Sequence, residues 1–440
     1  LDRILVQKEN AIVYCNTKAI TENVASGYER SKINTDYIAT FLNHLKSKYD
    51  NEWIVINALE KGIGVHHGVV PKYIQKEIVS LFNNSESGLD ILCSTTTITE
   101  GVNTTAKNMI VYKRLKGAGK HAKPLLTFDA KNIAGRAGRF MEHYTGRVIS
   151  LDTEFISKLN QQGEPIKHKN YDPSQAKTEI DDEMTPNQFL DNRSIERLEE
   201  VRKMQTERGI PNDVISQFKV VSKRDKIKIY DKIIELDSLE HLKIKKLIRR
   251  LSSPTIGIDK DGFQVILDLC FDIIENETLK SMIENKFKDN FSPNSYSIIF
   301  ASLNSYLRGG FNGVYKYHLN YEKRKNNKNA VNSAMRQASS MIFNTYKYQL
   351  VKYLGIFNLM YKYIESKKLD VEIVEVTGID KLLIKLEYNA FSEEARIASD
   401  FGVPQKIVDY YDSANANDSK RILNEFDAYE RTVFERIKRI

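Results

Sequence analysis

Two arginines, Arg136 and Arg139, stand three residues apart in IAGRAGRF (133–140), each directly behind a glycine, Gly135 and Gly138. Guanidinium groups are permanently charged planar forks that match phosphate oxygens, and glycine lets a backbone come close to a ligand. The spacing suits a polyphosphate. Three further polar clusters each follow a short apolar run: Asn16 and Thr17 after AIVYC, His66 to Gly68 in GVHHG, and Ser94 to Asn103 in STTTITEGVN. Hydroxyls and backbone N–H groups at such positions are phosphate donors. A threonine-rich turn also caps a helix, and the two roles are compatible. Adjacent histidines point in different directions, so His67, with Gly68, is read as a phosphate contact and His66 as a core residue.

No other string supplies the rest of a nucleotide site. The lysine-rich KGAGKHAKP (116–124) has Arg114 at the required earlier glycine position and His121 where Ser or Thr would hold magnesium, so it is no P-loop. The acidic run IDDEM (180–184) follows no apolar strand and is expected to be a solvated patch. There is no CxxC and no Cys/His cluster, so no metal site is called. Cys15 and Cys93 lie in apolar strand-like runs and read as small buried hydrophobes, which fits an intracellular, cytoplasmic chain.

The elements that position these residues alternate. Short β-rich runs are expected at 11–15, 63–68, 90–95, 108–112 and 146–151, with helices over about 18–30, 35–48, 71–82 and 129–139. That alternation predicts a parallel sheet covered by helices on both faces, with ligands at the carboxyl ends of the strands, where the polar clusters fall. Residues 153–192 break into a polar, proline-bearing linker or arm. From 193 to 440 the chain reads as mainly α-helical, with a winged-helix-like piece as a candidate in 200–262 and a short β-like pair at 371–376 and 382–388.

The 440 residues carry a net charge of +8, and residues 1–150 hold 20 Lys/Arg against 14 Asp/Glu. The positive bias lies on the half with the arginine motif and suits an acidic partner such as nucleic acid. No apolar run approaches the roughly 18 residues that span a bilayer, so no membrane partner is expected. The chain opens LDRILVQKE, without Met, and nearly at once enters a strand, which reads as a piece of something longer.

Taken in order, IVYCNT, GVHHG, STTTITEGVN and NIAGRAGRF resemble the second RecA-like domain of superfamily 2 helicases, nearest to the Ski2-like group. STTTITEGVN is similar to that group's motif V, NIAGRAGR to the motif VI pattern Q-x-x-G-R-x-G-R, and GVHHG to the HHAG element. The resemblance covers residues 1–152. Asn132 replaces the usual Gln, Gly68 the alanine of HHAG, and Thr104–Thr105 an apolar–proline pair. It implies an α/β RecA-like domain followed by the α-helical region, and ATP and Mg²⁺ held mainly by a first RecA-like domain that is absent here. By the same resemblance Arg136 and Arg139 are arginine fingers, and Asn132, Gly135, Gly101 and Asn103 approach the nucleotide. Asn16, Thr17, His67, Gly68, Thr95, Thr96 and Thr97 would approach a bound strand. The implied activity is ATP-driven movement along single-stranded DNA or RNA, with these 440 residues alone lacking ATPase activity.

Basic and aromatic residues mix in YKYHLNYEKRKNNK (315–328), and Lys323 and Lys325 are taken as strand contacts. The aromatic series Phe343, Tyr346, Tyr348, Tyr353, Phe357 and Tyr361 reads as core or domain interface. The alternative from another class is a non-catalytic module binding nucleic acid or protein on a helicase-like scaffold; intact arginines count against it.

Overall fold

A computed structural model describes residues 1–33, 35–99, 103–117, 122–138, 145–162, 178–253, 257–287 and 296–438. The chain divides into two compact units. The first gathers residues 1–167, 318–339 and 392–440, and the second 168–317 and 340–391.

In the first unit, strands β1 (Ala11–Tyr14), β2 (Ile63–His66), β3 (Ile91–Ser94) and β4 (Asn108–Val111) are short apolar runs, buried at every position. Strands buried on both faces belong to a parallel sheet covered by helices. A ribbon of β5 (Leu115–Lys116) and β6 (Lys123–Pro124) follows, then β7 (Arg147–Ser150), which alternates between exposed and half-buried. β1, β2, β3, β4 and β7 make one all-parallel sheet in the order β2-β3-β1-β4-β7, with Ala11 level with Ile91 and Asn108. All five carboxyl ends therefore lie along one edge.

Local chemistry starts each crossover helix. Thr17 Oγ1 accepts from Ile20 N–H (3.1 Å) to cap Lys18–Gly27, and Thr35 does the same for Asp36–Lys48. Pro71 precedes Lys72–Asn83. The helix expected at 129–139 runs Thr127–Ala134.

The late helices of this unit are held by polar side chains. His44 Nδ1 lies 2.7 Å from Asp427, which caps Ala428–Ile437, and His44 Nε2 lies 3.1 Å from the Tyr73 hydroxyl. Lys72 Nζ donates to Asp400 O (2.6 Å) and Lys76 Nζ to Phe401 O, at the carbonyl end of Glu393–Phe401. Cations there complement the partial negative charge of a helix C-terminus.

The second unit is helical around Val351–Leu369, which buries Tyr353, Leu354, Ile356, Phe357, Met360, Tyr361 and Ile364. A helix apolar all round belongs in a core. A ten-residue π-helix, Met341–Leu350, leads into it, with Tyr346 buried and 2.6 Å from Ser302 Oγ. Of the expected aromatic series, Tyr348 is exposed.

Three expectations are corrected here. The β-like pair is absent: 373–375 is a 3-10 turn and Asp380–Tyr388 a helix, because Leu382 and Leu386, four apart, are the buried residues. IDDEM is not a solvated patch. It folds as Glu179–Met184, with Glu179 and Asp182 buried; Asp182 is 0% exposed and held by Ser194 Oγ (2.7 Å) and Arg197 (3.0 Å). No strand occurs among the described residues of 200–262, which form helices Asn192–Glu207, Asn212–Ile215, Lys223–Ile234, Ser238–Leu251 and the start of Lys260–Cys270, so no wing is formed there. Among the described residues no helix is long and apolar enough to cross a membrane.

Candidate strand-end site

The carboxyl edge of the sheet brings three of the expected clusters together. After β3 the chain turns through a 3-10 segment, Thr96–Thr99, against which the helix Thr127–Ala134 packs. Thr97 Oγ1 lies 3.1 Å from His66 Nδ1 and 3.3 Å from Thr95 Oγ1, and Ser94 Oγ lies 3.4 Å from His66 Nδ1. Thr95 N–H donates to His66 O (3.3 Å). Gly68 is exposed beside Thr97; a Cβ there would sit 3.6 Å from Thr97 Cγ2, an ordinary contact, so alanine fits equally well.

Asn16 has a different partner from the one its motif suggests. Its Nδ2 donates to Gly117 O (2.8 Å), Gly117 N–H returns a bond to Asn16 O (3.1 Å), and the Tyr14 hydroxyl donates to Leu115 O (3.0 Å). The β5–β6 ribbon, which bounds the lysine-rich loop, is thereby fixed to the end of β1. Asn16 Oδ1 has no hydrogen-bond partner among the described residues.

His67 is only 2% exposed, so its ring lies inside the protein. Its Nε2 lies 3.2 Å from Glu22 Oε1, and the other carboxylate oxygen of Glu22, also 2% exposed, pairs with Arg336. A phosphate contact through the His67 side chain does not fit this burial; the exposed backbone at Gly68 remains open to one. His66, assigned to the core, is buried as expected.

Motif VI leaves the helix at Gly135. Asn132 and Gly135 are exposed and Arg136 is half-buried, its N–H bonded to Ile133 O (3.1 Å). Gly138 has φ +67, and its N–H reaches Ala106 O (2.9 Å); a Cβ there would fall 2.2 Å from Gly146 N, so only glycine fits. Arg139 and Gly101 lie outside the described residues. Exposed Asn103 is held through its carbonyl by Asn83 Nδ2 (2.8 Å), and Asn83 Oδ1 accepts Thr105 N–H (2.9 Å).

Lys323 and Lys325 are exposed near the end of the helix Ile298–Arg324, with the Lys325 ammonium 4.3 Å over the Tyr321 ring. Their hairpin reaches the strand ends through Arg336 on Ala330–Ser340. Glu22, Asn83 and Arg336 escaped the sequence reading: Arg336 is 314 positions from Glu22 and no local pattern links them. A second cluster, His44, Asp427 and Glu430, has metal-like spacing, but His44 is bonded to Asp427 and Tyr73 and Glu430 to Lys48 (3.0 Å), so it reads as a fastening.

Burial pushes His66, beside the His67 ring, and likewise His318 down to about 4; burial also lowers His44. Unfolded histidine takes its proton near 6.5, so between pH 6.5 and 4 the unfolded chain binds more protons. The contribution is fully present above pH 6.5 and is lost as pH falls towards 4, by about 3 kcal/mol for each of these two residues. Calorimetric melting against pH should show that slope for the first unit, and His318→Gln should flatten it.

No family model matches the chain. It is 33% identical over 151 residues to Anti-bacteriophage protein B of Escherichia coli (strain K12), covering 34% of this chain and 20% of that protein. It is 28% identical over 153 residues to the mitochondrial DExH-box ATP-dependent RNA helicase DExH18 of Arabidopsis thaliana, covering 31% and 20%. It is 38% identical over 94 residues to human Superkiller complex protein 2, covering 21% and 7%. The chain spans a fifth or less of the length of these relatives. These partial homologies to Ski2-like and DExH helicases support helicase superfamily 2 and mark the chain as helicase-related.

Proposed function

We propose that these residues work as the second RecA-like domain and helical region of an ATP-dependent helicase that moves along single-stranded nucleic acid. The observation that carries the reading is the strand-end arrangement: the segments matching motifs V and VI pack on each other at the carboxyl edge of one parallel sheet, beside Asn16 and Gly68. Threonine hydroxyls and backbone N–H groups there suit strand phosphates, and the guanidinium groups of Arg136 and Arg139 would suit a nucleotide. The 440 residues contain no P-loop. In this reading a first RecA-like domain holds most of ATP and its Mg²⁺, and Asn132, Gly135, Gly101 and Asn103 complete the nucleotide's surroundings. Closure of two such domains on ATP, and reopening after hydrolysis, would advance the strand.

The 440-residue chain alone is expected to hydrolyse no ATP even with single-stranded RNA present, RNA being the nucleic acid in the name of the DExH18 relative; strand-stimulated turnover by the purified chain would reject the assignment. The chain should bind the strand mainly through phosphates. Replacing Lys323 and Lys325 by alanine should lower the slope of log affinity against log salt by about 1 to 2 units, at roughly 0.7 per lost phosphate contact. A full slope in that variant removes the hairpin from the strand path and favours the scaffold alternative.

A further inference from the structure

Polar contacts around Glu22, joined by two steps along the backbone, lead from the basic hairpin to motif V. Arg336 pairs with one carboxylate oxygen of Glu22, and His67 Nε2 lies 3.2 Å from the other. His67 is joined by its peptide bond to His66, whose Nδ1 lies 3.1 Å from Thr97 Oγ1, and Thr97 lies 3.3 Å from Thr95. At the far end the hairpin is braced across its arms. Glu322, 6% exposed, accepts from Gln337 Nε2 (2.7 Å) and from Asn327 Nδ2, and Gln337 is the residue after Arg336. Asn332 Oδ1 accepts Ile54 N–H (2.8 Å) and pins the same helix to the sheet's covering layer.

We infer that Arg336 is a positioning residue: through Glu22 and His67 it sets the turn after β2 and the motif V threonines, so that a strand held by the hairpin alters motif V. The inference rests on the strand-binding role proposed above. Three features carry it. Glu22 and His67 are both almost fully buried, and a buried carboxylate without a cationic partner is costly, so Arg336 holds Glu22 firmly in the paired arrangement. Both oxygens of Glu22 are used, one towards each side, which leaves no slack between hairpin and turn. His67 Nδ1 has no hydrogen-bond partner among the described residues, so the ring is held from Nε2 alone. Packed polar contacts of this kind can carry coupling between two sites, and the contacts from Arg336 to Thr97 are contiguous.

Full-length chain, a short fluorescein-labelled oligouridylate and hydrogen exchange at residues 95–98 test this. Wild-type chain should show slower exchange there when the oligonucleotide binds. Arg336→Ala should reduce that slowing about fivefold or more, in the range of allosteric couplings, while affinity changes less. Arg336→Lys, which keeps the charge, should restore part of it. Glu22→Gln, nearly isosteric and less exposed to misfolding, should uncouple in the same way. Retention of the full slowing in Arg336→Ala and Glu22→Gln overturns the inference. If wild-type chain binds no oligonucleotide, the proposed function fails and with it the strand-driven coupling. The positioning role is then read separately in the free chain by selective ¹⁵N labelling of histidine: a moved His67 ring signal in Glu22→Gln and Arg336→Ala supports it, and an unmoved signal rejects it.

Discussion

Arg136→Ala, made in a complete protein carrying a P-loop domain, is expected to lower ATP turnover by about three to five orders of magnitude, the range for arginine fingers. Charge in phosphoryl transfer spreads over the equatorial oxygens of the departing phosphoryl group, and a guanidinium supplied from outside the P-loop offsets it. Arg136 lies just beyond the helix Thr127–Ala134, half-buried, with Gly135 before it and the obligatory Gly138 turn after it. That setting limits where the guanidinium can go. Arg139→Ala should behave alike. Strand affinity without nucleotide should stay within about twofold, since the side chain's proposed ligand is ATP and each 1.4 kcal/mol would already be tenfold. Strand-stimulated ATPase rates and nucleotide-free strand titrations check both statements. Persisting hydrolysis with lost strand binding would exchange the roles of motifs V and VI.

The second large effect concerns stability. Arg197→Ala should destabilise the second unit by about 3 kcal/mol, at the lower end for breaking a buried ion pair from one side. Asp182 is fully buried and, among the described residues, its carboxylate would keep the Ser194 hydrogen bond but no cationic partner, whereas Arg197 is partly exposed and tolerates losing its partner. Asp182→Ala alone should therefore cost less, and adding it to Arg197→Ala should recover most of the loss. Urea midpoints of the three variants decide it; a loss under about 1 kcal/mol for Arg197→Ala means that Asp182 does not depend on that pairing.

The sheet was legible because AIVYC, IGVHHG, DILCST and NMIVY are short apolar runs, each followed at once by polar residues, and burial on both faces leaves no other use for them. The strand-end clusters were legible for the same reason: a parallel sheet collects all its carboxyl ends. What could not be read was partner choice across long separations. GVHHG does not reveal that His67 turns inward, because its partner there is Glu22, and Glu22 is paired in turn with Arg336 from far along the chain. VEIVEV carries β-branched residues but no alternating buried face: Val371 and Val374 are exposed and Val376 alone of the three valines is buried. In IDDEM the acidic letters suggested water, and only the packing of Asn192–Glu207 against Glu179–Met184 reveals their internal partners.

The first unit draws on three separated stretches, and this sets a timetable for its biosynthesis. The sheet's residues are made by position 167, yet the helices that fasten to His44, Lys72 and Lys76 lie within residues 392–440. The last helix ends at Ile437, about 270 residues after position 167, so translation at about 5–20 residues per second leaves the nascent sheet domain without its last covering for roughly 14 to 54 s. During that interval the apolar surface of Asp36–Lys48 that meets Tyr429 has no native partner, with Phe41 4.8 Å from the Tyr429 ring once it arrives. Ribosome stalling before residue 392 is therefore expected to expose the sheet domain to aggregation more than stalling after residue 437.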